Sequence, residues 1–586
     1  MCADSVQSLI NHLRNEDSQL RLNSMERLSF IARSIGPVKT RKELIPLLVA
    51  LNEDEDEVLE AMAKELGHFV PLVGGSEHGR VLLGPLEEFC RSDEPGVRDK
   101  AVASLEQVAR ELPSEVIDSD FLEIVRSLAT DKLEGVTSKV SAAKLIPVAY
   151  ELSAPLRHAE LCDLFLRLAS DETAMVRRAV ASVFGRLSKL FGPEVMRSEP
   201  LMGALSRLAS DEQDSVRILA VPAVVEVAGL FAPAAARELL QGAVAALARD
   251  KSWRVRYSAA DCYVRLTQAL CGGDKGAARA EMLGAFLEFL RDSEAEVRTV
   301  AASRLAEMSQ LVPAAEVAEL LLPCAQALVR DQNEHVREAL ALVVTGVAPI
   351  LGPGPHCEAI VDTVVKPLLE DDSSAVRLNI IKSLKMVSGV TGIDAISQAL
   401  LAPITQLARH DQWRVRLSVI ELIPALAAEL GVEFFNDKLA GLSLYWLNDS
   451  VFAIRDAAVK NLKGLTEIFG VEWAKEVIIP SVLGFATHQN YLYRMTALFA
   501  ISELSPVVSA EVVVETFLPT VLTLAEDLVA NVRFNAAKTL QVMVPLVTDL
   551  VLETRIKPCL NALMADQDRD VKFYAGKCME VCNGSK

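Results

Sequence analysis

Residues 209–217 read ASDEQDSVR, and this stretch decides the fold. It holds an acidic residue, Asp211, then four variable residues, an aliphatic one, Val216, and a cation, Arg217. The pattern recurs as DETAMVR at 171–177, DKSWRVR at 250–256, DSEAEVR at 292–298 and DQNEHVR at 331–337. Later copies are DDSSAVR from Asp371, DSVFAIR from Asp449, DLVANVR from Asp527 and DQDRDVK from Asp566. Taking the final cation as anchor gives Arg21, Leu59, Arg98, Thr137, Arg177, Arg217, Arg256, Arg298, Arg337, Arg377, Arg416, Arg455, Arg494, Arg533 and Lys572. The step stays within one residue of 39, apart from 42 between Arg256 and Arg298. The CGGDKG stretch at 271–276 is expected to take up the difference as a longer loop. Chance does not hold one register from end to end, so the chain is a tandem repeat.

Each repeat is predicted to be a pair of helices. Behind the anchor the apolar residues step by four, four and three, as in Val216, Ala220, Val224 and Val227, or Val376, Ile380, Leu384 and Val387. That is the stripe of an amphipathic helix. Ahead of the acidic residue lies a second apolar stretch. Pro46, Pro85, Pro323, Pro403, Pro480, Pro519 and Pro558 share one place in it, 13 or 14 residues before the anchor, and are expected to bend that helix. The acidic residue opens the turn between the two helices, where it can satisfy free N–H groups of the second. A lone pair of this kind cannot bury both faces, but stacked neighbours can. The expected fold is an all-α solenoid of about fifteen helix pairs, read as one domain over residues 1–586.

Composition fits and narrows the function. Of 586 residues 51% are apolar and only 5% aromatic, as suits closely spaced helix layers filled by Leu, Val and Ala. Lys and Arg total 60 against 79 Asp and Glu, a net charge of −19, which disfavours nucleic acid and anionic membrane surfaces as partners. No run of apolar residues is long enough for a membrane-spanning helix. The opening MCADSVQSLI lacks a basic start and an apolar signal core, so a cytoplasmic place, with the nucleus also open, is expected. The ten cysteines are scattered and form no CxxC pair, which predicts reduced, mostly buried thiols. There is no GxSxG, P-loop, GxGxxG or HExxH motif and no metal-ligand spacing, so neither enzyme activity nor a cofactor is expected.

A 39-residue helix pair with Asp and Arg in these places resembles the HEAT repeat. The segments LRNEDSQLRLNS around Asn15, DKSWRVRY at Asp250, AVRLNII at Ala375, WRVRL at Trp413, LGVEFF at Leu430 and NVRFNAAKTLQ at Asn531 are further similar to the scaffold subunit of protein phosphatase 2A. That resemblance covers the whole chain. It implies a non-enzymatic HEAT scaffold of fifteen repeats, with a ladder of Asp–Arg contacts between layers. It also implies a phosphatase catalytic subunit held by the C-terminal repeats, about 395–586, and one of several regulatory subunits by the N-terminal repeats, about 1–300. The assembly would be a heterodimer or heterotrimer. His410 and His488 stand where the turn is otherwise acidic, and Leu59 and Thr137 where the anchor is otherwise cationic, which weakens the ladder there.

Turn residues are the candidate contacts. Trp413 and Arg414 are of the types most enriched at interface centres, although Trp413 can also pack over the next turn. Phe452, Tyr491 and Tyr493 extend an aromatic line, and Asn531 and Arg533 follow it. Trp473 either fills a gap between repeats or joins the same surface. These eight are assigned to the catalytic subunit by resemblance. Met175, Arg177, Arg178, Ser215, Val216, Trp253 and Arg254 are assigned to regulatory subunits, with Arg177 and Arg533 also belonging to the ladder. The alternative function is a HEAT-type transport adaptor wrapping cargo, which would answer to a small GTPase.

Overall fold

The computed structural model describes residues 3–130, 135–272, 276–391 and 394–584, and no strand occurs among them. The predicted stripes are the buried faces. Val216, Ala220, Val224 and Val227 are fully buried on the helix Asp214–Ala228. Each such valine contributes about 1.5–3 kcal/mol by leaving water. Val376, Ile380, Leu384 and Val387 are buried too, although one helix ends at Ser383 and the next starts at Lys385 within that stripe.

Contacts gather the helices into two units, Met1–Glu307 and Met308–Lys586. In the first, the second helices of successive repeats stack in sequence order as Asp56–Leu66, Pro95–Glu111, Gly135–Leu152, Ala174–Met196, Asp214–Ala228 and Trp253–Cys271. In the second, the order is Glu334–Val343, Ser374–Ser383, Trp413–Phe434, Phe452–Phe469, Tyr491–Leu504, Ala530–Met543 and Arg569–Gly584. First helices cover these rows, as Leu122–Thr130 covers Gly135–Leu152 and Lys557–Met564 covers Arg569–Gly584. Each unit is thus an α-solenoid, in which a helix buries its faces against the neighbours before and after it. The CGGDKG loop lies partly outside the described residues, at 273–275.

The Asp–Arg ladder is present and has a fixed geometry. Arg217 donates through Nε and Nη2 to both carboxylate oxygens of Asp250, at 2.6 and 2.8 Å. Its Nη1 donates to the carbonyls of Asp211 and Glu212 in its own turn. One guanidinium therefore closes its own turn and grips the next. Arg177–Asp211, Arg256–Asp292, Arg337–Asp371, Arg416–Asp449, Arg494–Asp527 and Arg533–Asp566 repeat the arrangement. Where Thr137 replaces the anchor, Lys139 reaches Asp171 at 2.8 Å instead, a substitution the spacing did not reveal.

The rungs make stability acid-sensitive. Burial alone would raise the Asp211 carboxyl, but the hydrogen bonds from Arg177 and the Gln213 N–H outweigh it and leave it below the ordinary value of 3.8. Asp527 is lowered by the same balance, and Asp566 chiefly by its bond from Arg533. With folded values below unfolded ones, these rungs stabilise fully above the ordinary Asp range and lose their effect as pH falls through the folded values. Thermal melts are expected to be level from pH 7 to about 5 and to drop steeply below about 4. A melting temperature that rises on acidification below 4 contradicts the ladder's role.

The proline bend has a different cause from the one expected. Pro46, Pro323, Pro519 and Pro558 each follow a π-helical turn, at Thr40–Leu44, Val317–Leu321, Val513–Phe517 and Leu552–Ile556. Ile117–Phe121 and Phe435–Leu439 form the same turn with no proline behind them. The π turn recurs in several repeats with or without proline, and proline is tolerated where the widened turn has already displaced the i−4 hydrogen bond, whereas Pro85 and Pro480 follow no π turn. Pro403 sits inside the uninterrupted helix Asp394–Ala408. Between repeats the chain reverses at glycines such as Gly431 and Gly470, whose φ of 80° and 92° with strongly extended ψ suits only glycine.

Candidate protein-binding ridge

The turn aspartate sets where each second helix begins. Asp250 Oδ1 accepts the Ser252 N–H at 2.8 Å, and Asp449 and Asp527 do the same for Val451 and Val529. The sequence suggested that this carboxylate serves the helix's own free N–H groups. It serves instead the residue just ahead of the helix, and the helix opens on the next one. The residue three before the anchor is therefore the first helical residue: Trp253, Trp413, Phe452 and Tyr491 all hold that place. They stand at the end of the helix beside the turn, where no neighbouring layer has to cover them.

In the second unit this place carries an aromatic residue in three successive repeats. Trp413 is half-buried, and the exposed Arg414 lays its guanidinium 4.7 Å from the indole centroid. Phe452 is 67% exposed, with the Arg455 guanidinium 5.7 Å from its ring. Tyr491 and its neighbour Leu492 are exposed. Asn531 is exposed, and its carbonyl accepts from Asn535 Nδ2.

Three of the candidate residues are held by contacts within the chain. Trp473 is only 8% exposed, packs edge-on against Phe435 and Phe469, and donates from Nε1 to Asn436 Oδ1 at 2.7 Å. It fills a gap between repeats, far along the chain from the turn. Tyr493 is half-buried, stacked on Phe485 at 6.0 Å and against His488 at 4.2 Å, so it braces its turn. Arg533 has its donors committed to Asp566, Asp527 and Leu528.

Sequence reasoning also missed two exposed side chains. Leu528 is 98% exposed in the fourteenth turn. A signal for it exists, because the residue after the turn acid is polar in every other repeat, from Glu16 to Gln567. Tyr445, exposed beneath the Arg409 guanidinium at 5.5 Å, flanks the cleft that Trp413 also lines. It lies in a first helix, outside the recurring turn motif.

In the first unit Trp253 is half-buried, with the exposed Arg254 guanidinium 4.9 Å from its ring. Met175 and Arg178 are exposed. Val216 is fully buried and cannot touch a partner, because the aliphatic residue before each anchor is the first core residue of its helix. Ser215 is half-buried, and Arg177 is committed to Asp211 and the carbonyls of its own turn. Repeated pairs of a half-buried or exposed aromatic with an arginine over its ring suit protein binding, since little side-chain freedom remains to be lost.

The chemistry elsewhere is quiet. Among the described residues no group of three or more His, Cys, Asp or Glu is placed to hold a metal ion. Cys90, Cys162, Cys357 and Cys559 are free thiols. Burial pushes those of Cys162 and Cys559 up to about 11, where little nucleophilic thiolate exists.

Comparison with known proteins agrees with this architecture. Residues 275–352 match the family described as PPP2R1A-like HEAT repeat. The beta isoform of the human 65 kDa regulatory A subunit of serine/threonine-protein phosphatase 2A is 43% identical over 386 residues, 65% of this chain and 63% of that protein. The PP2A regulatory A subunit of Schizosaccharomyces pombe is 41% identical over 45% of this chain and 44% of its own length. That of Saccharomyces cerevisiae is 37% identical over 43% and 41%. The matched stretches thus span less than two thirds of these relatives. Among solved structures, the Kap95:Nup1 complex aligns over 98% of this chain and 76% of that one, with a TM-score of 0.60 and 13% identity. Importin beta aligns over 99% and 79%, with a TM-score of 0.57 and 13% identity. At that identity the likeness shows the helical solenoid alone. The relatives bear the name of regulatory subunits. The chain is therefore a helical solenoid that is similar, over part of its length, to the 65 kDa regulatory A subunits of serine/threonine-protein phosphatase 2A, with a HEAT-repeat match at residues 275–352.

Proposed function

We propose that the chain is a non-catalytic scaffold that assembles a phosphatase 2A catalytic subunit with a variable regulatory subunit. The catalytic subunit takes the turn ridge within about 395–586, at Trp413, Arg414, Phe452, Tyr491 and Asn531, with Tyr445 and Leu528 added. The regulatory subunit takes turns within about 1–300, at Met175, Arg178, Trp253 and Arg254. The observation that carries this reading is the recurring aromatic at the first residue of the second helix, half-buried at Trp253 and Trp413 and exposed at Phe452, each with an arginine guanidinium over its ring. The names of the relatives, as regulatory A subunits of phosphatase 2A, support that phosphatase as the partner. The scaffold acts by holding two proteins at a high effective concentration and a fixed orientation. A cytoplasmic and nuclear location belongs to the same proposal. The transport-adaptor alternative has only the shared solenoid in its favour, at 13% identity. Calorimetric titration of the intact chain with purified phosphatase 2A catalytic subunit tests the reading. Saturation at one to one supports it, and no heat of binding with a folded chain overturns it.

A further inference from the structure

His488 replaces the turn acid of the thirteenth repeat, and the consequence falls on Arg455 in the repeat before it. In the complete rungs the anchor arginine spends Nε and Nη2 on the next turn's carboxylate, as Arg416 does on Asp449 and Arg494 on Asp527. Arg455 keeps only the half of this pattern within its own repeat. Its Nη1 donates to the carbonyls of Asp449 and Ser450, at 2.7 and 3.1 Å. Its Nε and Nη2 have no partner among the described residues.

His488 takes over the turn-closing role of the acid and nothing more. Its Nδ1 accepts the Asn490 N–H at 3.0 Å, and its ring is held against Tyr493 at 4.2 Å. An imidazole whose acceptor nitrogen is so occupied has no lone pair left for a guanidinium. His410 makes the same replacement in the eleventh repeat, with Nδ1 accepting the Gln412 N–H. There the preceding anchor, Arg377, is received by Gln406 Oε1 at 3.0 Å, four residues ahead of the histidine. The matching position ahead of His488 is Gly484, which has no side chain and open space where one would stand. The thirteenth repeat therefore lacks both receivers.

The unpaired fork is held ready. Its guanidinium lies 5.7 Å from the ring of Phe452, the most exposed aromatic of the ridge, and is fixed from behind by the two carbonyls. We propose that Arg455 is a carboxylate-receiving fork, which takes an Asp or Glu side chain of the partner seated on Phe452 in place of the missing rung. Two parallel N–H donors in a fixed plane match a carboxylate bidentately. This inference rests on the scaffold reading, with the phosphatase catalytic subunit as the partner on that ridge.

The test uses the intact chain, purified phosphatase 2A catalytic subunit, and four variants measured for affinity and melting temperature. Arg455→Gln is expected to weaken binding about tenfold, the loss of one charge-assisted pair, with the fold retained. His488→Asp is expected to weaken binding similarly while raising the melting temperature, because the new carboxylate occupies the fork. His488→Asn, which keeps the turn acceptor without the charge, is expected to bind like the wild type. Trp413→Ala with Arg414→Ala serves as the control for the ridge itself. If the control loses affinity while Arg455→Gln and His488→Asp bind normally, the fork is wrong and the scaffold reading stands. If the wild type does not bind at all, the scaffold reading fails and the fork goes with it.

Discussion

Replacing Trp413 and Arg414 together by alanine is expected to weaken binding of the catalytic subunit on the order of a hundredfold, with helix content unchanged. The expectation follows from where the pair stands. Trp413 is the first residue of its helix and only half-buried, so its removal excavates no core. Arg414 takes no part in the ladder, and its guanidinium rests on the indole at 4.7 Å. The two present one apolar and cationic surface whose side-chain freedom is already spent, which is the condition under which a few residues dominate an interface. Calorimetric titration, with circular dichroism to follow the fold, reads the result. Unchanged affinity in a folded double variant removes the eleventh turn from the interface.

Replacing Arg217 by alanine is expected to cost about 3–5 kcal/mol of local stability. Arg217 and Asp250 are among the most buried ladder pairs, with side chains 6% and 9% exposed. Removing the guanidinium leaves the Asp250 carboxylate with one backbone N–H and no directly paired cation, and strips two carbonyls of their donor. Asp250→Asn keeps the acceptor that closes the turn and is expected to cost less. Arg217→Met combined with Asp250→Asn is expected to recover part of the loss, because no unpaired charge then remains. In a repeat protein such a defect opens neighbouring layers first, so hydrogen exchange localised to about 171–271 is the measurement to make. Protection there equal to the wild type contradicts a structural role for the rung.

The architecture was open to reading because a solenoid writes its contacts at a fixed period. Asp211 and Arg217 recur with their neighbours, so the turn and the helix pair could be placed from the residues, while the ladder followed from the resemblance. Local geometry was less legible. The π turns carry no residue signature, since Ile117–Phe121 and Phe435–Leu439 form them without the proline that marked the others. Thr137 looked like a missing rung because the substitute, Lys139, lies two residues away on the same helix. Among the candidate site residues, burial was not legible. Trp473 and Val216 have plausible interface side chains, but one sits behind Gly470 in an inter-repeat packing layer and the other faces its own core. Leu528 was overlooked for the opposite reason: leucine is the commonest core residue, and only the polar residues at the same place in other repeats mark it as exposed.

Sedimentation equilibrium on the intact chain mixed with purified phosphatase 2A catalytic subunit and one regulatory subunit decides whether the chain is a scaffold. A single species holding one copy of each protein, in which neither partner displaces the other, is the predicted result. Partners that compete for the chain, or that associate equally well in its absence, contradict it.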